Sequence, residues 1–533
     1  MKEKVKCSRY AWLLFLVRCS SPSPPSAADA APDVPTPKLT IEQLKDPETC
    51  NQCHTKHYRD WLGSMHAYAA DDPMFLAMND RGQREANIGN LCVQCHAPMA
   101  IAEAPPGTII DTAKLKALPK SQRGVTCYFC HQIDAVTNTH NNPLHLANDG
   151  VMRGRYNDAV PNEGHASAYS TLLDGTHLDS ANACGSCHDI VNGQGSHVER
   201  TFEEWKTSVF AYPVSGLPCA RCHVGFEQRD VIADGPKVQG IRVRDRHDHK
   251  MAAVDRALTP FPEIDAQALA VRKALNDPPV IQTALCVAEF PPESKIIVIV
   301  DNLQAGHMVP SGAAQDRQLW FEVTAFKDGS EIYQSGHVPA GTDATESTDE
   351  DLWLMRDCMF DEQGKETHLF WDAVSNESNA LPAPVTLSPT SPLFYQQHKT
   401  RAFPQATAKR LPVIPDRIVL KAWIQAFPYA VLDEFTPDLK NIGYSDDEIL
   451  TIRGKLGPIQ ITANSINVQP GRESEPAELE WTDAAVMKSG LQFPNASMLA
   501  DVPRGIWVRC LSGTNMRLGV DAQKATVRQR CKP

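Results

Sequence analysis

Five segments of this chain carry one short pattern: Cys50-Asn51-Gln52-Cys53-His54, Cys92 to His96, Cys127 to His131, Cys184 to His188 and Cys219 to His223. The spacing lets a single turn carry three bonds to one group. Each pair of thiols adds to the two vinyl groups of a haem, and the histidine that follows ligates the iron from the proximal side. The pattern therefore predicts five covalently attached haem c groups. They are held by Cys50, Cys53, Cys92, Cys95, Cys127, Cys130, Cys184, Cys187, Cys219 and Cys222, with His54, His96, His131, His188 and His223 as proximal ligands. Structural zinc would not need a histidine directly after every cysteine pair.

With 533 residues the chain is long enough for two or three domains. Its net charge of −12, made more negative by haem propionates, argues against a nucleic-acid partner and is compatible with redox partner proteins that dock through basic patches. Six cysteines are left over, Cys7, Cys19, Cys286, Cys358, Cys510 and Cys531, and their even number suits an oxidising compartment outside the cytoplasm. The expected pairs are Cys510 with Cys531 and Cys286 with Cys358, a connectivity that sequence alone does not determine. Residues 1–19 read as an export signal: Lys2, Lys4, Lys6 and Arg9 precede an apolar run from Tyr10 to Val17 that is too short to span a bilayer. Leu16-Val17-Arg18-Cys19 has the leucine and cysteine of a lipoprotein box, although Arg18 departs from it. A lipid anchor on Cys19 stands beside simple cleavage near Ala28-Asp29-Ala30. Residues 20–39 form a Ser/Pro/Ala-rich tether, and the mature protein is expected in the periplasm or at the outer membrane.

The remainder divides into two halves with different patterning, giving an α+β fold class. Residues 40–257 are weakly periodic, with short helices between loops around the haem motifs. Within them Asp60-Trp61-Leu62-Gly63-Ser64-Met65-His66-Ala67 resembles Glu204-Trp205-Lys206-Thr207-Ser208-Val209-Phe210-Ala211, each copy lying between two motifs. Residues 277–470 are strand-rich. Strands are predicted at 295–300, 318–326, 331–334, 417–426 and 459–468, with a hairpin turn at Lys327-Asp328-Gly329-Ser330 and a capping box at Ser445 opening a helix to Lys455. This half is expected to be an immunoglobulin-like β-sandwich. Residues 471–533 read as irregular.

Each iron also needs a distal ligand or an open face, and that choice separates a carrier from a catalyst. His66 becomes Phe210 in the second copy of the repeat, a change that packing tolerates and a ligand does not, so His66 is a distal candidate. His145 and His165 are favoured over His140 and His177, and His249 over His247. His307 sits in a loop with Gly306, Pro310 and Gly312 that is shaped to present it, so the β half is expected to reach back and cap a haem. His57, His197, His337, His368 and His398 read as surface or core residues. Met65, Met74, Met99 and Met251 are near enough to be alternative ligands but usually serve as core filler.

Motifs spread from Thr49 to Gly336 resemble the exported multihaem c-type cytochromes related to the tetrahaem electron carriers of nitrifying bacteria, in the variety with a C-terminal β-sandwich. The likeness lies in Trp61 to Ala67, Cys92 to Pro98, Gly124 to His131, Cys184 to Asp189, Glu199 to Trp205, the stretch around His249, and Asn302 to Gly312. The resemblance implies bis-His haems in close pairs and supports His66, His249 and His307. It leaves the choices between His140 and His145 and between His165 and His177 open. The family's reductases mark an active haem with Lys in place of the motif histidine or with a crosslinking Tyr; here all five motifs end in His. The leading expectation is an electron carrier between a quinol-linked membrane donor and an external or periplasmic acceptor. Its rivals are a reductase of a small nitrogen or sulfur oxyanion with one open haem face and a subunit of a surface cytochrome filament.

Overall fold

The computed structural model describes residues 35–512 apart from 215, 236–239, 303, 387, 389–390, 392–397, 407, 465–466, 483–484, 486–491 and 494–506. The segment read as an export signal, with Cys7 and Cys19, most of the segment read as a tether, and Cys531 lie outside the described residues. Among the described residues no helix is long and apolar enough to cross a membrane.

In the N-terminal half the motifs are single helical turns. Cys127–His131 and Cys219–His223 are helices in their own right, and His54, His96 and His188 each donate from the backbone N–H to the carbonyl of the motif's first cysteine, at 2.8, 3.1 and 3.2 Å. Residues i, i+3 and i+4 of such a turn share a face, which brings both thiols and the imidazole to one side. Apolar residues here form small separate clusters: Phe75, Leu76, Val93 and Leu115; Leu44, Met99, Tyr128 and Phe129; Phe202, Trp205, Val209 and Phe210. Short two-stranded ribbons fill the gaps, among them Phe226–Val231 with Val243–His247.

The C-terminal half contains two antiparallel sheets over one core. The first runs in the order Lys399–Phe403, Glu293–Asp301, Gln282–Phe290, Trp507–Ser512, Gln492–Phe493. The second runs Ser330–Ser335, Gln318–Lys327, Arg417–Gln425, Ile459–Ile461, with Trp353–Met355 and Leu479–Thr482 pairing on the inner strands. Alternate residues of each strand point inward: Ile296, Val298 and Val300 from one sheet join Leu319, Phe321, Val323, Leu420 and Ala422 from the other. Asp328 and Gly329 turn the hairpin with φ of 49° and 79°, the doubly left-handed backbone of a two-residue loop. Ser445 caps its helix through Glu448 N–H, and Glu448 bonds back to the Ser445 N–H.

Three expectations are corrected. Cys286 is bonded to Cys510, not to Cys358, because Gln282–Phe290 and Trp507–Ser512 are neighbouring strands whose register sets these residues opposite each other, with Cα atoms 4.0 Å apart. Cys358 is disulfide-bonded as well. The chain beyond Pro470 is not merely irregular, since Leu479–Thr482 and Trp507–Ser512 complete both sheets. The strand predicted at 459–468 ends at Ile461.

The halves are joined by a helix that sequence reading passed over, Tyr429–Asn441. Leu432, Phe435 and Leu439 pack with Met74, Ala77 and Met78 of Pro73–Ala86. Arg81 sits 4.0 Å over the Phe435 ring and bonds through Nε to Asp438 at 3.0 Å. A second bridge is the loop from Asn302 to Gly312, which carries His307 toward the fifth motif.

Candidate functional site

The five motif turns meet in the interior of the N-terminal half. The Cys50 thiol lies against that of Cys127, Cys187 against Cys95, and Cys184 against Cys219. Cys130 adds to the electrostatic field at Cys187. The first motif is thus beside the third, and the fourth is central, touching the second and the fifth and adjoining the third. All ten motif thiols are free of disulfides.

Each motif histidine is oriented by a bond at Nδ1. His54 bonds the Ile232 carbonyl at 2.8 Å, His96 that of Ala69 at 2.9 Å and His223 that of Ala252 at 3.1 Å; His131 bonds the Arg153 carbonyl. His188 instead meets the Glu199 carboxylate at 3.4 Å. With Nδ1 spent in this way, Nε2 is the atom that would ligate an iron, and the bond at Nδ1 fixes the ring's tautomer and orientation as it does in metal-bound imidazoles. Burial holds the His54 imidazole at about 4 and lowers those of His96, His131 and His223. At His188 burial is outweighed by Glu199, and the pKa is raised.

Opposite these rings stand other imidazoles. His54 and His165 have centroids 6.1 Å apart, His188 and His66 6.2 Å, and His223 and His307 6.4 Å. With metal–imidazole bonds of about 2.0 Å and ring centres roughly 1 Å further out, two rings across one iron stand about 6 Å apart. The three separations therefore fit a six-coordinate haem. The facing rings are anchored too: His165 Nδ1 bonds the Ala166 carbonyl at 3.0 Å, His307 Nδ1 that of Met308 at 2.7 Å, and His66 Nδ1 meets Met251 Sδ at 2.9 Å. Burial lowers His66 to about 3 and His307 to about 4, so both are neutral donors.

His249 is half-buried, bonds the His247 carbonyl through Nδ1 at 3.2 Å, and is lowered to about 4 chiefly by desolvation and then by the nearby His131. His57, read from sequence as a surface or core residue, lies 5.0 Å from His249 and is half-buried too. His247 is tied to the Val224 carbonyl at 2.9 Å and contacts Arg155. His145 is not brought to a motif ring: its side chain is 63% exposed and Nδ1 pairs with Asp134 at 2.6 Å. His177 is exposed beside Asp179. His140 faces His197 at 6.3 Å, and His197 Nδ1 bonds the buried Asp189 at 2.9 Å. Against the His96 ring stacks Phe75, at 4.1 Å and 6°.

Sequence reading missed three carboxylates. Glu199 holds His188. Glu204, pushed up to about 7 chiefly by burial, accepts from the Met308 N–H and the Ser311 hydroxyl, and Asp60 meets Arg246 and Lys250. An acidic residue before a tryptophan, repeated in the two copies, was the available signal.

The protein family described as cytochrome c554 and c-prime matches residues 49–132. No curated protein matches the chain. The structure resembles a penta-heme cytochrome c552 from Thermochromatium tepidum with a TM-score of 0.50 and 18% sequence identity, over 79% of this chain and 98% of that one. That likeness is one of fold. With the five motifs, the two comparisons support a multihaem c-type cytochrome.

Proposed function

We propose that the chain is an exported pentahaem c-type cytochrome that carries electrons between a quinol-linked membrane donor and an external or periplasmic acceptor. On this reading it is retained at the periplasm or outer membrane, with Cys19 as a candidate anchor, and its two-sheet half is an immunoglobulin-like module. The observation that carries the proposal is the set of imidazole pairs: His54 with His165, His188 with His66, and His223 with His307, each near the spacing of a doubly ligated iron. Each haem, once attached, supplies a one-electron iron couple whose potential depends on axial ligation, burial and hydrogen bonding. The chain's own residues set those conditions. Backbone carbonyls fix four of the five motif rings through Nδ1 and Glu199 the fifth, burial lowers the pKa of those four, and thiol contacts pair the first motif with the third and the fourth with the second and fifth.

A reductase is favoured at one motif by a specific observation. Phe75 lies on the His96 ring, and His140, whose neighbour Asn142 is bonded to the Gln94 carbonyl inside that motif, is turned toward His197 rather than committed to a motif histidine. The two readings separate in an electron paramagnetic resonance spectrum of the ferric holoprotein. A carrier is expected to show only low-spin haem. A high-spin signal near g of about 6 that integrates to about one haem in five and responds to nitrite or hydroxylamine would replace the carrier with a reductase.

A further inference from the structure

The two copies of the tryptophan repeat perform the same pair of contacts at different motifs. The Trp61 indole N–H donates to the Val125 carbonyl at 2.8 Å, and that of Trp205 to the Leu217 carbonyl at 3.0 Å. Val125 and Leu217 both stand two residues before a motif's first cysteine, Cys127 and Cys219. The next contact is also repeated: the Val125 N–H donates to the His66 carbonyl at 2.8 Å and the Leu217 N–H to the Phe210 carbonyl at 2.9 Å, His66 and Phe210 being equivalent positions. One copy thus suspends the third motif and the other suspends the fifth.

The acidic residue ahead of each tryptophan bonds a different segment. Asp60 accepts from Arg246 at 2.8 Å and Lys250 at 3.0 Å, the residues that bracket His249. Glu204 accepts from the Met308 N–H at 3.1 Å and the Ser311 hydroxyl at 2.6 Å, immediately after His307. Glu204 is only 6% exposed, and burying a carboxylate where an apolar side chain would fill the space is unfavourable unless its bonds are needed. Trp205 and Phe210 wall the same loop: a Cβ at Gly306 would lie 3.3 and 3.4 Å from them.

We propose that Asp60 and Glu204 are equivalent positioning residues, each fixing the segment that carries the distal ligand of the haem whose motif hangs from the neighbouring indole. The assignment that follows is His307 opposite His223 and His249 opposite His131. It rests on the reading of His307 and His249 as distal ligands. The repeat is then a unit of haem-site assembly: its indole sets the proximal side and its carboxylate the distal side. The His66 ring lies outside this unit, since it faces His188 of the fourth motif, and the second copy carries Phe210 at that position.

The test uses the full holoprotein, with haem count by mass, the ferric paramagnetic resonance spectrum and a redox titration. In Glu204→Ala, still carrying its haems, a high-spin signal approaching one haem in five is expected, with a shifted midpoint for a single haem. Glu204→Gln keeps an oxygen for Ser311 and Met308 and should restore the low-spin spectrum. Asp60→Ala should perturb a different haem, so that the double variant shows the sum. His307→Ala and His249→Ala test the underlying reading. If they go high-spin while Glu204→Ala and Asp60→Ala match the parent in spectrum and midpoints, the positioning role is overturned and the ligand reading stands. If both histidine variants stay low-spin, both ideas fall. Should Glu204→Ala not take up its haems, Ser311→Ala removes a single donor and carries the same expectation on a smaller scale; an unchanged spectrum and titration there overturns the role of Glu204.

Discussion

The two halves bury their apolar residues in different ways. In the C-terminal half, residues from both sheets, among them Leu285, Val298, Phe321, Leu420 and Trp481, join a single core. In the N-terminal half the apolar residues form small sets, and each set includes or adjoins a motif: Cys92 and Val93 in one, Phe129 and Cys130 in another, Cys219 beside Phe202 and Trp205 in a third. One half is held by side chains packing on each other. The other is arranged around the positions where haem attaches. An attached haem stays on the chain when it unfolds, so what it adds to folding is the burial of its faces and the distal ligation, both gained only in the folded state.

The largest consequence is seen when attachment is prevented. The full chain produced in cells that cannot attach haem should be cut by protease throughout residues 40–257, while a fragment spanning the two sheets survives. Equal protection of both halves in the haem-free chain would mean that the N-terminal half has a sufficient core of its own.

A change confined to the sheets should have the converse effect. Phe321 is fully buried, with its ring 5.1 Å from that of Trp353 and tilted by 39°. Phe321→Ala should lower the stability of the C-terminal half by about 3–5 kcal/mol. The haem spectrum should be unchanged below the transition, and chemical denaturation followed by tryptophan fluorescence would report the loss. A spectrum altered in proportion to the loss would show that the two halves form one cooperative unit, coupled through Tyr429–Asn441.

What could be read from the sequence follows the same division. The strand Gln318–Lys327, its hairpin at Asp328 and Gly329, and the cap at Ser445 were legible because each is specified by local period or turn chemistry. The motif turns were legible for a similar reason: covalent attachment demands a fixed spacing. Distal histidines were harder, because facing a motif ring is a matter of tertiary approach. His66, His165 and His307 stand opposite motif rings, whereas His145, with the same local credentials, turns outward to Asp134. The helix Tyr429–Asn441 was obscured by Pro437 inside it. The late strands Leu479–Thr482 and Trp507–Ser512 are short, and their place is set by partners far away in the sequence.

The disulfide is the smallest and most selective probe of the comparison. Cys286 and Cys510 are separated by 224 residues, yet they lie on adjacent strands of one sheet, so the bond closes a long loop across the C-terminal half. The expected pairing with Cys358 failed because cysteine spacing says nothing about which distant strands become neighbours, and here the strand contributed from beyond Pro470 inserts beside Gln282–Phe290. Removing the cross-link should cost about 2–4 kcal/mol, the typical contribution of a disulfide. The motif cysteines, as thioethers, do not exchange with thiols. The paired change Cys286→Ser and Cys510→Ser should therefore lower the denaturation midpoint of the two-sheet half by that amount and leave the haem-linked transition in place. A fall in both transitions together would show instead that the sheets are what the haem half folds upon, and the two halves would then be a single structure differing only in how each is filled.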